Sequence, residues 1–148
     1  MINAAIVGLG RWGQLLVESV QGKSDKIRFT AGVTRTPSKA ADFGKKYGIP
    51  IGADFSSCLR DRDIQAVVLA TPHSQHAEQI VAAARAGKHV FCEKPFALSR
   101  RDAETALDAI AKAKVAVAVG HNRRFSPCVV ALKRAIDSGE IGTPIQIE

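Results

Sequence analysis

A chain of 148 residues with 46% hydrophobic content holds material for one ordinary globular domain with a real core, and not comfortably for two. No apolar run approaches the roughly eighteen residues of a membrane span, and no basic-then-apolar leader precedes the first strand, so a cytoplasmic location is expected, with no membrane partner. The formal charge of +7 points to an anionic partner, but the basic pairs Lys45-Lys46, Arg100-Arg101 and Arg123-Arg124 are scattered and aromatics are only 5%, which argues against nucleic acid and leaves a small phosphorylated ligand.

In chain order, an apolar strand is expected over Ile2–Val7, then the turn Gly8-Leu9-Gly10-Arg11-Trp12-Gly13, then a helix over 12–21. In such a unit the first glycine permits the tight turn, the second lets backbone approach a pyrophosphate, and the third lets the helix pack closely on the strand. Phosphate then rests on the unpaired N–H groups of the helix start. All six turn residues are assigned to a nicotinamide or flavin dinucleotide on this ground.

A second strand is expected over Ile27–Val33. An NAD site offers Asp or Glu to the ribose 2′-hydroxyl at this strand's end. This chain instead runs Val33-Thr34-Arg35-Thr36-Pro37-Ser38-Lys39. An acid would repel a 2′-phosphate, whereas the Arg35 guanidinium pairs with one bidentately while Thr34, Ser38 and Lys39 add donors. NADP is the expected cofactor, with NAD the alternative.

Beyond it come a helix over 37–47, with Thr36 as N-cap and Pro37 as first helical residue, a short strand near 49–51 and a turn around 55–59. Strands at 66–70, 89–92 and 115–119 alternate with helices at 75–86, 100–114 and 127–138; Ser99 is the expected N-cap, and Gly87 and Gly139 are the expected stops. Strands almost free of polar residues, such as Ala66-Val67-Val68-Leu69-Ala70, imply burial on both faces. The fold class is therefore α/β, a doubly wound parallel sheet of the Rossmann type, whose ligands bind beyond the carboxyl ends of the strands. Ala70, Thr71, Pro72, His73 and His76 join the fourth strand to its helix at that edge and are assigned to the ribose and nicotinamide side. Cys58, Cys92 and Cys128 are odd in number and widely spaced, so neither a disulfide framework nor a metal site is expected.

The glycine loop, Ala70-Thr71-Pro72 with His76, Gly87-Lys88-His89-Val90, Glu93-Lys94-Pro95 and Asn122-Arg123-Arg124-Phe125 with Pro127 together resemble the dinucleotide-binding domain of the glucose-fructose oxidoreductase, inositol dehydrogenase and rhizopine catabolism family. Glu-Lys-Pro is the most family-specific of these elements. The resemblance implies that Lys94 lies beside the substrate carbon that exchanges hydride with the nicotinamide, and a desolvated lysine suits that task because it can hold or shuttle the hydroxyl proton. Glu93 then orients Lys94 or the ribose, and the bond between Lys94 and Pro95 is implied to be cis. His73 stands where the family often has asparagine or a small residue; proton transfer competes with a solvent-facing or ribose-contacting role. Arg123 or Arg124 contacts a phosphate or carboxylate, or else forms an interdomain salt bridge.

By the same resemblance, residues 1–142 are a dinucleotide-binding domain and 143–148, with a strand over 145–148, open a truncated second domain. The implied activity is hydride transfer between nicotinamide and a sugar, polyol or related hydroxyl or carbonyl substrate, in a homo-oligomer, with this chain alone catalytically incomplete. The competing reading is a dinucleotide-binding sensor module without catalysis, which would have no need of Lys94.

Overall fold

The computed structural model describes residues 1–146. Its elements are β1 (Ile2–Val7), α1 (Arg11–Val20), β2 (Ile27–Val33), α2 (Ala41–Tyr47), β3 (Ile51–Gly52), α3 (Phe55–Arg60), β4 (Ala66–Leu69), α4 (His76–Arg85), β5 (His89–Cys92), α5 (Arg100–Ala113), β6 (Val117–Val119) and α6 (Pro127–Asp137). Single 3₁₀ turns cover Pro37–Ala40, His73–Gln75 and Asn122–Phe125.

All paired strands are parallel, in the order β3-β2-β1-β4-β5-β6. Alternate residues of β1 feed opposite faces of this sheet. Ala4 and Ile6 join Val17 of α1, Phe29, Ala40 and Val68 on one side. Ala5 and Val7 join Ile80, Ala83 and Ala84 of α4 and Ala106 and Ile110 of α5 on the other. Covering both faces is what requires a strand without polar interruption, and the doubly wound class expected from sequence follows.

The register sets the functional edge. Val7 pairs with both Val33 and Leu69, Leu69 with Cys92, and Cys92 with Val119, so five strands end in one row. The next residue of each, Thr34, Gly8, Ala70, Glu93 and Gly120, is fixed by a backbone N–H bonded to a neighbouring strand. The chain order reverses between β1 and β4, and ligands of doubly wound sheets bind at such a switch point.

Several expected elements are shorter than their sequence suggested. The helix expected over 37–47 divides into a 3₁₀ turn and α2; Pro37 does open the turn, but Thr36 makes no side-chain cap bond. The strand near 49–51 begins only at Ile51, because Pro50 has no N–H for a ladder. β6 is confined to Val117–Val119, and the N–H of Ala116 is instead given to Nδ1 of His89. Ser99 caps α5 as expected, accepting from the N–H of Asp102 at 3.1 Å. Of the strand expected over 145–148, residues 145 and 146 have no regular structure, and 147 and 148 lie outside the described residues. Among the described residues no helix is long and apolar enough to cross a membrane.

Candidate functional site

The three glycines of the first loop meet three different spatial demands. Gly8 has φ +97, and a Cβ there would stand 2.5 Å from the carbonyl oxygen of Ala70. A Cβ on Gly13 would overlap the carbonyl oxygen of Gly8, so α1 can lie this close to β1 only without a side chain. Above Gly10 there is nothing within 4 Å. Gly10 is also the N-cap of α1 and makes no side-chain bond, so the first-turn N–H groups remain available to an anion.

Three adjoining cavities run from this loop along the carboxyl edge of the sheet. The first, about 470 Å³, is bounded by Gly8, Leu9 and Gly10, by Thr34 and Arg35 at the end of β2, and by Ala70, Thr71 and Pro72 after β4. The second, about 440 Å³, shares Ala70 and Thr71 with it and adds Trp12, His73, Glu93, Lys94, Asn122 and Arg123. The third, about 550 Å³, shares Lys94, Asn122 and Arg123 with the second and reaches Gly120, His121 and Arg124. Thus most residues assigned from sequence are brought together on one edge, with Arg35 at one end and Lys94 between the second and third cavities.

Four assigned residues stand differently from expectation. His76 does not line the ribose and nicotinamide side: it is only 1% exposed and both ring nitrogens contact backbone carbonyls, Nδ1 that of Pro95 at 2.7 Å and Nε2 that of Thr71 at 3.0 Å. Ser38 does not join Thr34 and Arg35; the 3₁₀ turn carries it to a separate groove with Ala41, Lys45 and Ile51. Leu9 is buried in the α1-side core and can offer a ligand only its backbone. Arg11 is exposed but borders none of the three cavities.

Glu93 is 8% exposed and lies against the bare Cα of Gly120, where a Cβ would come within 2.6 Å of its Oε1. Its Oε2 accepts from the N–H of Lys94 at 3.3 Å, so the carboxylate braces the lysine's backbone. The bond from Lys94 to Pro95 is cis. Lys94, Arg123 and Arg124 are exposed, and none makes an ion pair among the described residues. Below Glu93, burial and then the neighbouring carboxylate push the Cys92 thiol up to about 12, so little of it is thiolate near neutral pH.

Sequence reasoning places segments 71–76 and 120–127 at this edge but gives no role to Gly120 or Gln75, and it misses Gln79. Thr71 donates its hydroxyl hydrogen to Oε1 of Gln79 at 2.6 Å, and Nε2 of Gln79 donates to Oε1 of Gln75 at 3.2 Å. Both glutamines line the first cavity. Their spacing of four positions at a helix start was the available signal.

Comparison with known proteins agrees with this geometry. The family model described as "Oxidoreductase family, NAD-binding Rossmann fold" matches residues 2–121. Inositol 2-dehydrogenase of Rhizobium meliloti (strain 1021) is 36% identical over 141 residues, covering 95% of this chain and 42% of that protein. The scyllo-inositol 2-dehydrogenase (NAD(+)) of Bacillus subtilis (strain 168) is 33% identical over 145 residues, covering 97% of this chain and 42% of its own length. The crystal structure of scyllo-inositol dehydrogenase from Lactobacillus casei with bound cofactor NAD(H) and scyllo-inositol superimposes with a TM-score of 0.90 at 32% identity, over 96% of this chain and 42% of that one. The chain therefore spans about two fifths of the length of the relatives it matches. It belongs to the glucose-fructose oxidoreductase, inositol dehydrogenase and rhizopine catabolism family, as its NAD-binding Rossmann domain.

Proposed function

We propose that this domain is the cofactor-binding part of an NADP(H)-dependent oxidoreductase that transfers hydride between nicotinamide and a hydroxyl or carbonyl carbon of a sugar, polyol or related compound. The observation that carries this reading is the line of three adjoining cavities with Arg35 at one end and Lys94 toward the other. Relatives named for inositols support the substrate class. The residues present fit a dinucleotide, because the loop is filled wherever β1 and α1 must touch and open only above Gly10.

In this reading the N–H groups following Gly10 hold the pyrophosphate, while Thr34 and Arg35 take the adenosine 2′-phosphate. Ala70, Thr71 and His73 form one wall of the nicotinamide region, with Trp12 beside them, and Pro72 continues that wall into the first cavity. Glu93 accepts from a ribose hydroxyl with the oxygen that Lys94 leaves free. Arg123 closes the opposite wall and reaches the ribose or an anionic group of the substrate. When bound, the nicotinamide ring supplies the site that accepts or gives the hydride. In alcohol oxidation the neutral Lys94 amine accepts the hydroxyl hydrogen and takes up its proton; in carbonyl reduction the Lys94 ammonium donates a hydrogen bond to the carbonyl oxygen and returns that proton. In this reading residues 1–142 form the dinucleotide-binding domain and 143–148 open a second one.

Trp12, the single tryptophan, reports on the second cavity. Titration of the chain with NADPH and NADH, followed by its emission, is expected to show NADPH binding roughly tenfold tighter or more, the worth of a charge-assisted bond to phosphate. Equal affinities would remove the preference for NADP. No binding of either would remove the reading.

A further inference from the structure

His76 is the one polar side chain among the largest fully buried residues, at the first position of α4 behind the wall of the second cavity. Its two partners belong to different strand-end turns. Thr71 follows β4, and Pro95 follows β5 directly after Lys94. Among the described residues, no other side-chain hydrogen bond joins these turns. Buried polar groups must find protein partners, and both partners here are carbonyl oxygens, so a neutral ring donates its one N–H to one turn and packs its other nitrogen against the other, and the imidazolium alone would donate to both. A planar five-membered ring also fixes the separation of its nitrogens, which a long flexible side chain would not.

We propose that His76 is a positioning residue that sets the gap between the turn carrying Thr71 and the turn carrying Lys94. This rests on the reading that the nicotinamide half of the cofactor lies between those turns. His76 touches neither cofactor nor substrate. It determines where Lys94 stands relative to the opposite wall, which a residue serving only to fill the core would not do.

The test compares the unaltered chain with His76→Phe, which keeps a ring without donors, and His76→Gln, which keeps an N–H donor. Calorimetry measures two ligands: NADPH, and adenosine 2′,5′-bisphosphate, which has the groups of the adenine end and no nicotinamide. Circular dichroism confirms folding. The bisphosphate is expected to bind all three proteins within about twofold. NADPH is expected to weaken about tenfold in His76→Phe and about threefold in His76→Gln, in keeping with hydrogen bonds each worth about a factor of several. If His76→Phe does not fold, the selective loss in His76→Gln decides alone. NADPH binding unchanged in the folded variants, or both ligands weakening in step, would overturn the proposal. An unaltered chain that binds the bisphosphate as tightly as NADPH would instead refute the placement of the nicotinamide half, and with it the purpose of the tether.

Discussion

At the β1–β2 end of the cleft, the adenine end in the proposed function, the surface is largely main chain: Gly8 lies against the Ala70 carbonyl, Gly13 against the Gly8 carbonyl, and Leu9 turns its side chain into the core. Between β5 and β6 the surface is made by the exposed side chains of Lys94, Arg123 and Arg124, with Glu93 and Gly120 beneath them. A wall of backbone is part of the fold, so changing it changes stability. A wall of solvated side chains can be altered with the sheet left intact.

The largest expected contrast is therefore in stability. Gly13→Ala forces a methyl into the Gly8 carbonyl. Overpacking of about 3 kcal/mol lowers the thermal midpoint by roughly 10 °C in a domain of this size. Lys94→Ala removes an exposed side chain and is expected to shift the midpoint by no more than about 2 °C. Gly10→Ala separates the two properties at the first end, because its Cβ meets nothing in the protein but stands where a pyrophosphate must approach. It should melt like the unaltered chain and bind NADPH and NADH more weakly. Comparable midpoint shifts for Gly13→Ala and Lys94→Ala, by differential scanning calorimetry, would break the comparison.

Next in size is the contribution of the charged side chain at the backbone end. Removing the Arg35 guanidinium is expected to cost NADPH about 1.5–3 kcal/mol, or about ten- to a hundredfold, and to leave NADH nearly unchanged. Arg35→Ala should thus close the gap between the two dinucleotides in the Trp12 titration. Equal losses for both would mean that Arg35 serves the loop, not the 2′-phosphate.

The same division explains what could be read from the residues. The glycine loop, the buried strands and the order of elements were legible because backbone sterics and apolar alternation are local properties. That the segments after these strands share one edge was legible too, from the parallel class; the alignment of Thr34, Gly8, Ala70, Glu93 and Gly120 in a single row was not, since it depends on the register of five strands. Position and family pattern point His76 into the cleft, yet its burial depends on the carbonyl of Pro95, 19 residues away. Ser38 was grouped with Arg35 by proximity in sequence, but the 3₁₀ turn after Pro37 carries it around to another groove.

Between the two ends, the hydrogen-bonded series Thr71–Gln79–Gln75 gives an intermediate case. Gln79→Ala leaves the Thr71 hydroxyl without its acceptor, a loss of about 1 kcal/mol. The expected result is a midpoint lower by about 2–4 °C with a NADPH affinity reduced severalfold. An unchanged midpoint would show that water replaces the amide, and that this stretch of wall behaves like the side-chain end.

The smallest effect uses the thiols as local probes. Burial raises the thiols of Cys58, in α3 behind the adenine end, and of Cys92, beneath Glu93 at the other. Cys128 is exposed, and its hydrogen bond with Ser126 pulls its thiol below the usual value. Thiolate is the nucleophile, so a lowered pKa gives more of the reactive form at a given pH and a raised one gives less. One thiol of the three is expected to react rapidly with an aromatic disulfide reagent near pH 8, and Cys128→Ser should abolish that phase. Cys58 and Cys92 can react only when their own end opens, so their slow rates report local opening at the two ends separately. In the proposed function NADPH spans both ends, so saturating it should slow both and leave Cys128 unaffected. If only Cys58 were protected, the cofactor would be held at its adenine end alone, and the second cavity would have no part in binding it.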